Sequence, residues 1–219
     1  MDIPLIYRTR FEEIGVEKRI RVWRVLCDAY FSQLIGQGKD VLDLACGYGE
    51  FINNISAGSK IGVDINPDGG RYLDRDVKFV NCAATNLSQI ADASIDVVFS
   101  SNFLEHLKDK VECDLVFSEV IRVLRPNGRF IVMGPNIRYA YKQYWDFYDH
   151  HLALSHLSLA EALKAKGFEV IQNTPRFLPY SMTSRLPSAD SFIRLYLAMP
   201  IVWPIFGKQF LVVGQKSAK

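Results

Sequence analysis

A chain of 219 residues with 49% apolar and 23% charged residues is not a disordered polymer, and one this long buries roughly 70% of its unfolded surface without help from a metal or disulfide. Its four cysteines, Cys27, Cys46, Cys82 and Cys113, are far apart and include no C-x-x-C, which argues against a zinc site or disulfide framework and predicts a reducing, cytoplasmic compartment. The net charge of +2 hides an asymmetry, 14 basic against 19 acidic residues through Leu124 and 12 against 5 from Arg125 onward, a field that can steer an anionic substrate or a membrane surface to one end.

The first residues, Met1-Asp2-Ile3-Pro4, lack a basic leader before an apolar run, so no secretory signal is expected. Residues 11–35 read as a helix, with Ile20, Trp23, Leu26 and Cys27 on one face. Short β-branched runs bounded by turn residues follow at 39–45, 60–64, 77–82, 95–100 and 128–133, each the signature of a buried strand. The clearest helix is 109–124, with Val116, Val120, Val123 and Leu124 on one face and Pro126-Asn127-Gly128 as its stop. The aromatic run Tyr139–Tyr148 comes next; such density between two strands is either local core or, the preferred reading, the wall of a pocket for a sugar or apolar substrate. A helix at 158–166, opened by Ser158 and Glu161 as a capping box, leads to a sixth strand at 168–172. A seventh is expected at 209–215. The insert between those last two strands is too long for a hairpin loop and reads as part of a substrate site. Within it, the apolar stretch Leu195–Phe206 carries Pro200 and Pro204 and is shorter than the ~20 residues a bilayer span takes. With Arg176, Arg185 and Arg194 nearby, the segment 177–206 could be an interfacial segment, a buried lid or a dimer contact. Alternating strand and helix predicts an α/β fold, a Rossmann-like doubly wound sheet of seven strands, mostly parallel with an antiparallel last strand.

The strongest chemical signal is Asp43-Leu44-Ala45-Cys46-Gly47-Tyr48-Gly49-Glu50, a strand entering a small-residue turn that opens a helix. Gly47 and Gly49 let backbone approach a ligand closely, at the carboxyl end of the first strand, where open α/β sheets bind. A dinucleotide fingerprint would put glycines at Ala45, Gly47 and Glu50. Glu50 would crowd the helix and set a carboxylate beside a pyrophosphate, so NAD is disfavoured. Asp64 ends the second strand, where a carboxylate can accept from both ribose hydroxyls.

Taken in order, Asp43–Gly49, Gly62-Val63-Asp64-Ile65, Ile95-Asp96-Val97-Val98, Leu104-Glu105-His106 and Val123–Arg129 resemble the class I S-adenosylmethionine-dependent methyltransferases, in the branch with the ubiquinone/menaquinone-type and "type 11" enzymes. The resemblance covers roughly residues 39–174. It implies that Asp43 and the turn Ala45, Cys46, Gly47 and Gly49 hold the methionine end of S-adenosylmethionine, and that Asp64 holds the ribose with Ile65 against the adenine. Cys82, Ala83 and Ala84 would flank the adenine, while Ser101 and Asn102 line the methionine side. Ala45 replaces the family's first glycine. Ala83 stands where an Asp often receives the adenine amino group, a contact the Ala84 N–H could replace. The chain then divides into an N-terminal helical cover (1–38), a cofactor-binding core (39–135) and substrate-side inserts (136–157 and 175–208) of one methyltransferase domain. Residues 139–219 also resemble a bacterial subgroup associated with polysaccharide or lipid-linked sugar pathways.

Simple structural roles compete at several positions. Asp43 could merely brace the turn, and the cysteines read as small core residues. His106 reads as a packing residue at the start of the long helix. His150, His151 and His156 with Asp146 and Asp149 match no common zinc spacing, so no metal is expected. Methyl transfer is an in-line displacement that positioning alone can drive. If the acceptor is a hydroxyl, His150 or His151 is the expected base. The sequence therefore predicts a methyltransferase yielding S-adenosylhomocysteine, acting on oxygen of a small molecule, sugar or lipid-linked glycan, with peripheral membrane contact open through 177–206. A cofactor-binding scaffold without catalysis is the main alternative. Nucleic acid is not indicated as a partner: there is no basic stripe with interleaved aromatics beyond 138–148, and Ser101-Asn102-Phe103-Leu104 stands where base methyltransferases carry Asn/Asp-Pro-Pro-Tyr.

Overall fold

In a computed structural model, residues 16–180 and 189–218 are described. Residues 11–15 of the expected first helix, the leader residues 1–4, and 181–188 of the insert with Arg185 lie outside them. One seven-stranded sheet runs in the order β3-β2-β1-β4-β5-β7-β6. Its strands are β1 (Asp40–Leu44), β2 (Ser59–Asp64), β3 (Val77–Asn81), β4 (Ile95–Ser101), β5 (Leu124–Pro135), β6 (Phe168–Thr174) and β7 (Gln209–Lys216). Pairing is parallel from β3 through β5. The last strand, β7, enters antiparallel between β5 and β6, as the sequence predicts.

The strands of the sheet centre are apolar on both faces. Val41, Val97, Phe99, Ile131, Met133, Leu211 and Val213 point into one core, and Leu42, Leu44, Val98, Phe130, Val132, Phe210 and Val212 into the other. This strict alternation follows from the period of two in a strand, and burial on both faces is why the runs read as continuously apolar. The second core is roofed by α2 (Lys110–Val123) and α4 (His156–Ala165). Val116, Val120 and Val123 of α2 are completely buried. The first core is roofed by α1, which runs from Val16 to Leu26 and continues through a π turn, Cys27–Phe31, into Ser32–Ile35. Further along the chain, α5 (Asp190–Ala198) packs beside it.

Several expectations are corrected. Ile20 is 46% exposed and Arg19 takes its place on the inner face of α1, because Arg19 has an acidic partner there. The segment after the glycine turn does not open a regular helix: residues 50–54 form turns, with the Asn53 and Ile55 N–H groups donating to Gly49 and Phe51 carbonyls. The β2–β3 crossover is a single 3-10 segment, Pro67–Tyr72, and the β3–β4 link contains turns and no helix. Pro126-Asn127-Gly128 lies inside β5, with Asn127 at φ 62°, where it makes a bend. The capping box of α4 uses Ser155 and Ser158 instead of Ser158 and Glu161: each serine hydroxyl accepts the other's backbone N–H. The aromatic run is mostly helix α3 (Ile137–Tyr144), in which Tyr144 is buried while Tyr141 and Trp145 face outward.

Candidate cofactor and acceptor site

At the carboxyl end of β1 the chain turns sharply. Ala45 takes φ 62°, Gly47 φ 54° and Gly49 φ 77°. A Cβ on Gly49 would stand 2.5 Å from Leu73 Cδ2, whereas one on Gly47 would meet nothing within 4 Å. At both positions the positive φ favours glycine, and Gly47 in addition leaves open space above the turn. The turn is pinned to β2 twice. The Cys46 N–H donates to the Val63 carbonyl (2.9 Å). The Gly47 N–H donates to one oxygen of Asp64 (2.8 Å), while the Asn66 N–H donates to the other (2.8 Å). Asp64 thus braces the turn while still facing a cavity of about 270 Å³.

That cavity is lined by Ala45, Gly47, Tyr48, Asp64, Ile65 and the Cys82–Thr85 loop on one side. On the other side stand Phe103, His106, Leu107, Lys108, Asp149 and His151. Ile65 is 65% exposed, an apolar side chain left open at the cavity wall. Of the sequence-predicted site residues, Ala45, Gly47, Asp64, Ile65, Ala83, Ala84 and His151 line the space. Asp43, Cys46, Gly49, Ser101, Asn102 and His150 do not. None of the aromatics from Tyr139 to Tyr148 lines it either: Tyr144 is core, Tyr139 stacks on His156, and Phe147 stacks on His150.

The carboxylates around the turn set its electrostatics. Asp43 is buried beneath it and accepts the Ile52 N–H. Burial first, then the negative charges of Glu50 and Asp64, pushes its carboxyl well above the usual carboxylate range. Burial also raises Asp64, against the opposing pull of the Asn66 and Gly47 N–H groups. Glu50, raised by burial and pulled back by the adjacent guanidinium, pairs with Arg19 at 2.9 Å. The arginine is 4% exposed and lies 5.9 Å from the Tyr48 ring centre. This explains why a glutamate is tolerated where a dinucleotide fingerprint has its third glycine. Arg19 escaped the sequence reading because a helical arginine carries no signal of its own. Burial raises the thiols of Cys46 and Cys82, as it should for packing residues rather than nucleophiles.

His106 belongs to the cavity wall and not to the packing of α2. It sits in a 3-10 turn, Leu104–His106, and its Nδ1 donates to the Asp149 carbonyl at 2.9 Å, with the Asp149 carboxylate at 3.3 Å. The Leu104-Glu105-His106 motif was legible in the sequence; its partner, 43 residues away, was not. His150 is 7% exposed and held among the rings of Tyr144, Phe147 and His106.

A glycine turn and a ribose-type carboxylate at adjacent strand ends, under a parallel sheet, define a nucleoside-binding α/β protein. The comparisons make the class specific. Residues 42–132 match a family model described as a methyltransferase domain. A Mycolicibacterium smegmatis protein described as a probable S-adenosylmethionine-dependent methyltransferase is 35% identical over 142 residues, 61% of this chain and 53% of that one. Human thiol S-methyltransferase TMT1A is 31% identical over 103 residues, 42% of this chain and 41% of its own. The chain therefore spans about half the length of the curated relatives it matches. In fold, it resembles an Archaeoglobus fulgidus SAM-dependent methyltransferase with TM-score 0.70 at 22% identity, covering 98% of this chain and 100% of that one. A Thermotoga maritima SAM-dependent methyltransferase gives 0.67 at 19% identity, covering 97% and 98%. Residues 42–132 are thus similar to a methyltransferase domain, and the chain as a whole has the fold of S-adenosylmethionine-dependent methyltransferases. The cradle fits that cofactor class: open space over Gly47 for close approach, the Asp64 carboxylate for hydroxyl donors, and Ile65 with Ala83 and Ala84 for a flat ring.

Proposed function

We propose that this protein transfers a methyl group from S-adenosylmethionine to an oxygen of a small molecule, a sugar or a lipid-linked glycan. The observation carrying the reading is the Asp64 carboxylate joined to the Gly47 turn at the head of a cavity that continues to His106 and His151. Asp64 holds the ribose hydroxyls, and Ile65, Ala83 and Ala84 sandwich the adenine. The turn at Ala45 and Gly47 takes the methionine end, braced from beneath by Asp43, Cys46 and Gly49, with Ser101 and Asn102 beyond it. The cofactor supplies an electrophilic methyl group on a sulfonium. The protein's part is orientation and exclusion of water, which lowers such barriers by several kcal/mol. Between the two predicted bases, His151 faces the acceptor side and His150 does not, so His151 is the group to take the hydroxyl proton.

Calorimetric titration tests the cofactor reading. Wild type should bind S-adenosylmethionine and S-adenosylhomocysteine but not NAD, and Asp64→Ala should lose both ligands. Turnover is read as S-adenosylhomocysteine formed with a panel of hydroxylated acceptors, plus thiols because one relative is named for them. His151→Ala is expected to slow turnover about 10²–10⁴-fold with cofactor affinity unchanged. Binding without turnover on any acceptor selects the scaffold alternative.

One observation favours an acceptor presented at a lipid surface. Phe192, Leu195, Ile201 and Ile205 are all more than half exposed on the insert before β7, the composition of an interfacial segment. Among the described residues no helix is long and apolar enough to cross a membrane. Wild type should pellet with anionic liposomes, and Leu195→Ser/Ile201→Ser should not; equal recovery in the supernatant for both removes this reading.

A further inference from the structure

Two loops meet behind the acceptor side of the cavity. The β4–α2 connection supplies Glu105 and His106, and the α3–α4 connection supplies His150. One ligand-capable atom of each lies within 4.8 Å of the others. We propose that Glu105, His106 and His150 form a divalent-cation site behind the acceptor half of the cavity, reached from it past His106.

The loops are locked in this arrangement by backbone. The Glu105 carbonyl accepts N–H groups from His151 (2.8 Å) and Leu152 (3.1 Å). Both oxygens near His106 Nδ1, the Asp149 carbonyl above all, are acceptors, so that nitrogen carries the proton and Nε2 keeps its lone pair. A metal-bound imidazole is oriented by this kind of contact on its second nitrogen. His150 is braced by Phe147 stacked at 4.9 Å and by Tyr144 at 4.8 Å. His106 lines the cavity, so an ion bound here reaches it.

The donor set names the class of ion. Two imidazoles and one carboxylate suit zinc, manganese, iron, cobalt or nickel, and do not suit magnesium or calcium, which take oxygen ligands. Bonds of about 2.0–2.1 Å in a tetrahedral site put ligand atoms about 3.3 Å apart, so the three side chains close by roughly 1.5 Å at most on loading. Three protein ligands leave a fourth position for water or for an acceptor hydroxyl. An acceptor oxygen bound there gives up its proton more readily: the O–H bond breaks, the proton goes to His151, and the oxygen keeps the electron pair as a nucleophile. This role rests on the methyl-transfer reading above; the binding site itself does not.

The test uses the full chain stripped with a chelator and then dialysed free of it. Titration with Co²⁺ and Zn²⁺ should give one ion per chain, with visible ligand-field absorption for cobalt. His106→Ala should abolish that uptake. Asp149→Asn removes the carboxylate beside His106 Nδ1 but keeps the backbone carbonyl that orients the ring, so it should weaken uptake by less than the roughly 10–100-fold that loss of an orienting contact costs. Binding of S-adenosylhomocysteine, measured on the same samples, reports that each variant is folded and tests the cofactor reading separately. No uptake by wild type that binds S-adenosylhomocysteine overturns the site and leaves the methyl-transfer reading standing. Undiminished uptake by a folded His106→Ala variant also overturns it. Uptake by a wild type that does not bind S-adenosylhomocysteine supports the site and removes the cofactor reading alone. His150→Ala is a second arm, and His106, at the cavity wall rather than in the core, carries the decision if that variant does not fold.

Discussion

Ala45 holds φ 62° at the end of β1, and Asn102 holds φ 50° at the end of the adjacent β4. An alanine in the left-handed region costs about 1 kcal/mol, and asparagine tolerates it better. The two strained residues stand at neighbouring strand ends that frame the cofactor side, where such conformations tend to collect. Ala45→Gly should therefore raise stability by about 1 kcal/mol, a Tm increase of about 2–4 °C in a chain of this size, read by thermal melts. Asp43 gives a second residue-level outcome, with its sign fixed by its raised carboxyl. Folded Asp43 binds its proton more tightly than a free aspartate does, so the folded state loses stability as pH rises from about 4 toward the folded value. Asp43→Asn removes that loss and keeps an oxygen for the Ile52 N–H. The variant should gain Tm relative to wild type between pH 4 and pH 7, and should bind S-adenosylmethionine more weakly. A Tm difference independent of pH would show that Asp43 is ionised throughout that range.

At the scale of elements, the apolar patterns located all seven strands and the α2 face, because burial on both sides of a parallel sheet leaves an unmistakable run. Local chemistry was less legible where two similar signals compete. Ser158-x-x-Glu161 and Ser155-x-x-Ser158 both follow capping spacing, and the structure uses the earlier pair. The choice is made by chain entry: Ser155 has extended backbone while Ser158 lies in the first turn. Ser155→Ala should then cost about 1 kcal/mol, while Glu161→Ala, exposed on α4, stays within about 0.5 kcal/mol. Denaturant midpoints of the two variants separate the alternatives. The segment after the glycine turn is a subtler case. Its apolar residues Phe51, Ile52 and Ile55 are buried, and packing of Phe51 on Phe99 at 3.7 Å holds an irregular turn where local spacing allowed a helix.

Across the whole molecule, α1 reaches over the sheet to close the cofactor end. Arg19 from that helix meets Glu50 from the turn at 2.9 Å, with both side chains at most 16% exposed. Removing one partner of a buried pair strands the other charge and costs about 3–5 kcal/mol, whereas replacing both costs much less. Arg19→Met should unfold at lower urea than the Arg19→Met/Glu50→Gln double variant. Equal midpoints would mean that Glu50 finds another cation or is protonated. The opposite end of the sheet is held differently: Arg125 bridges Asp40 (2.8 Å) and Asp96 (3.1 Å) at partly exposed positions, tying β1, β4 and β5 together away from the cavity. Binding chemistry is thereby left to the carboxyl ends, with the insert before β7 on the periphery.

The sequence by itself determined where the strands lie along the chain, the glycine turn, the Asp64 carboxylate and the class of fold, because periodicity and backbone freedom are local properties written in consecutive residues. Tertiary structure decided which side chains share the site. His106 meets Asp149 and His150 only when two loops 40 residues apart are stapled through the Glu105 carbonyl. Arg19 turns inward only because Glu50 awaits it. Tyr144 alone of the aromatic run turned into the core, where it donates its hydroxyl to the Leu152 carbonyl at 2.5 Å, a contact that closes a loop and that no spacing rule contains.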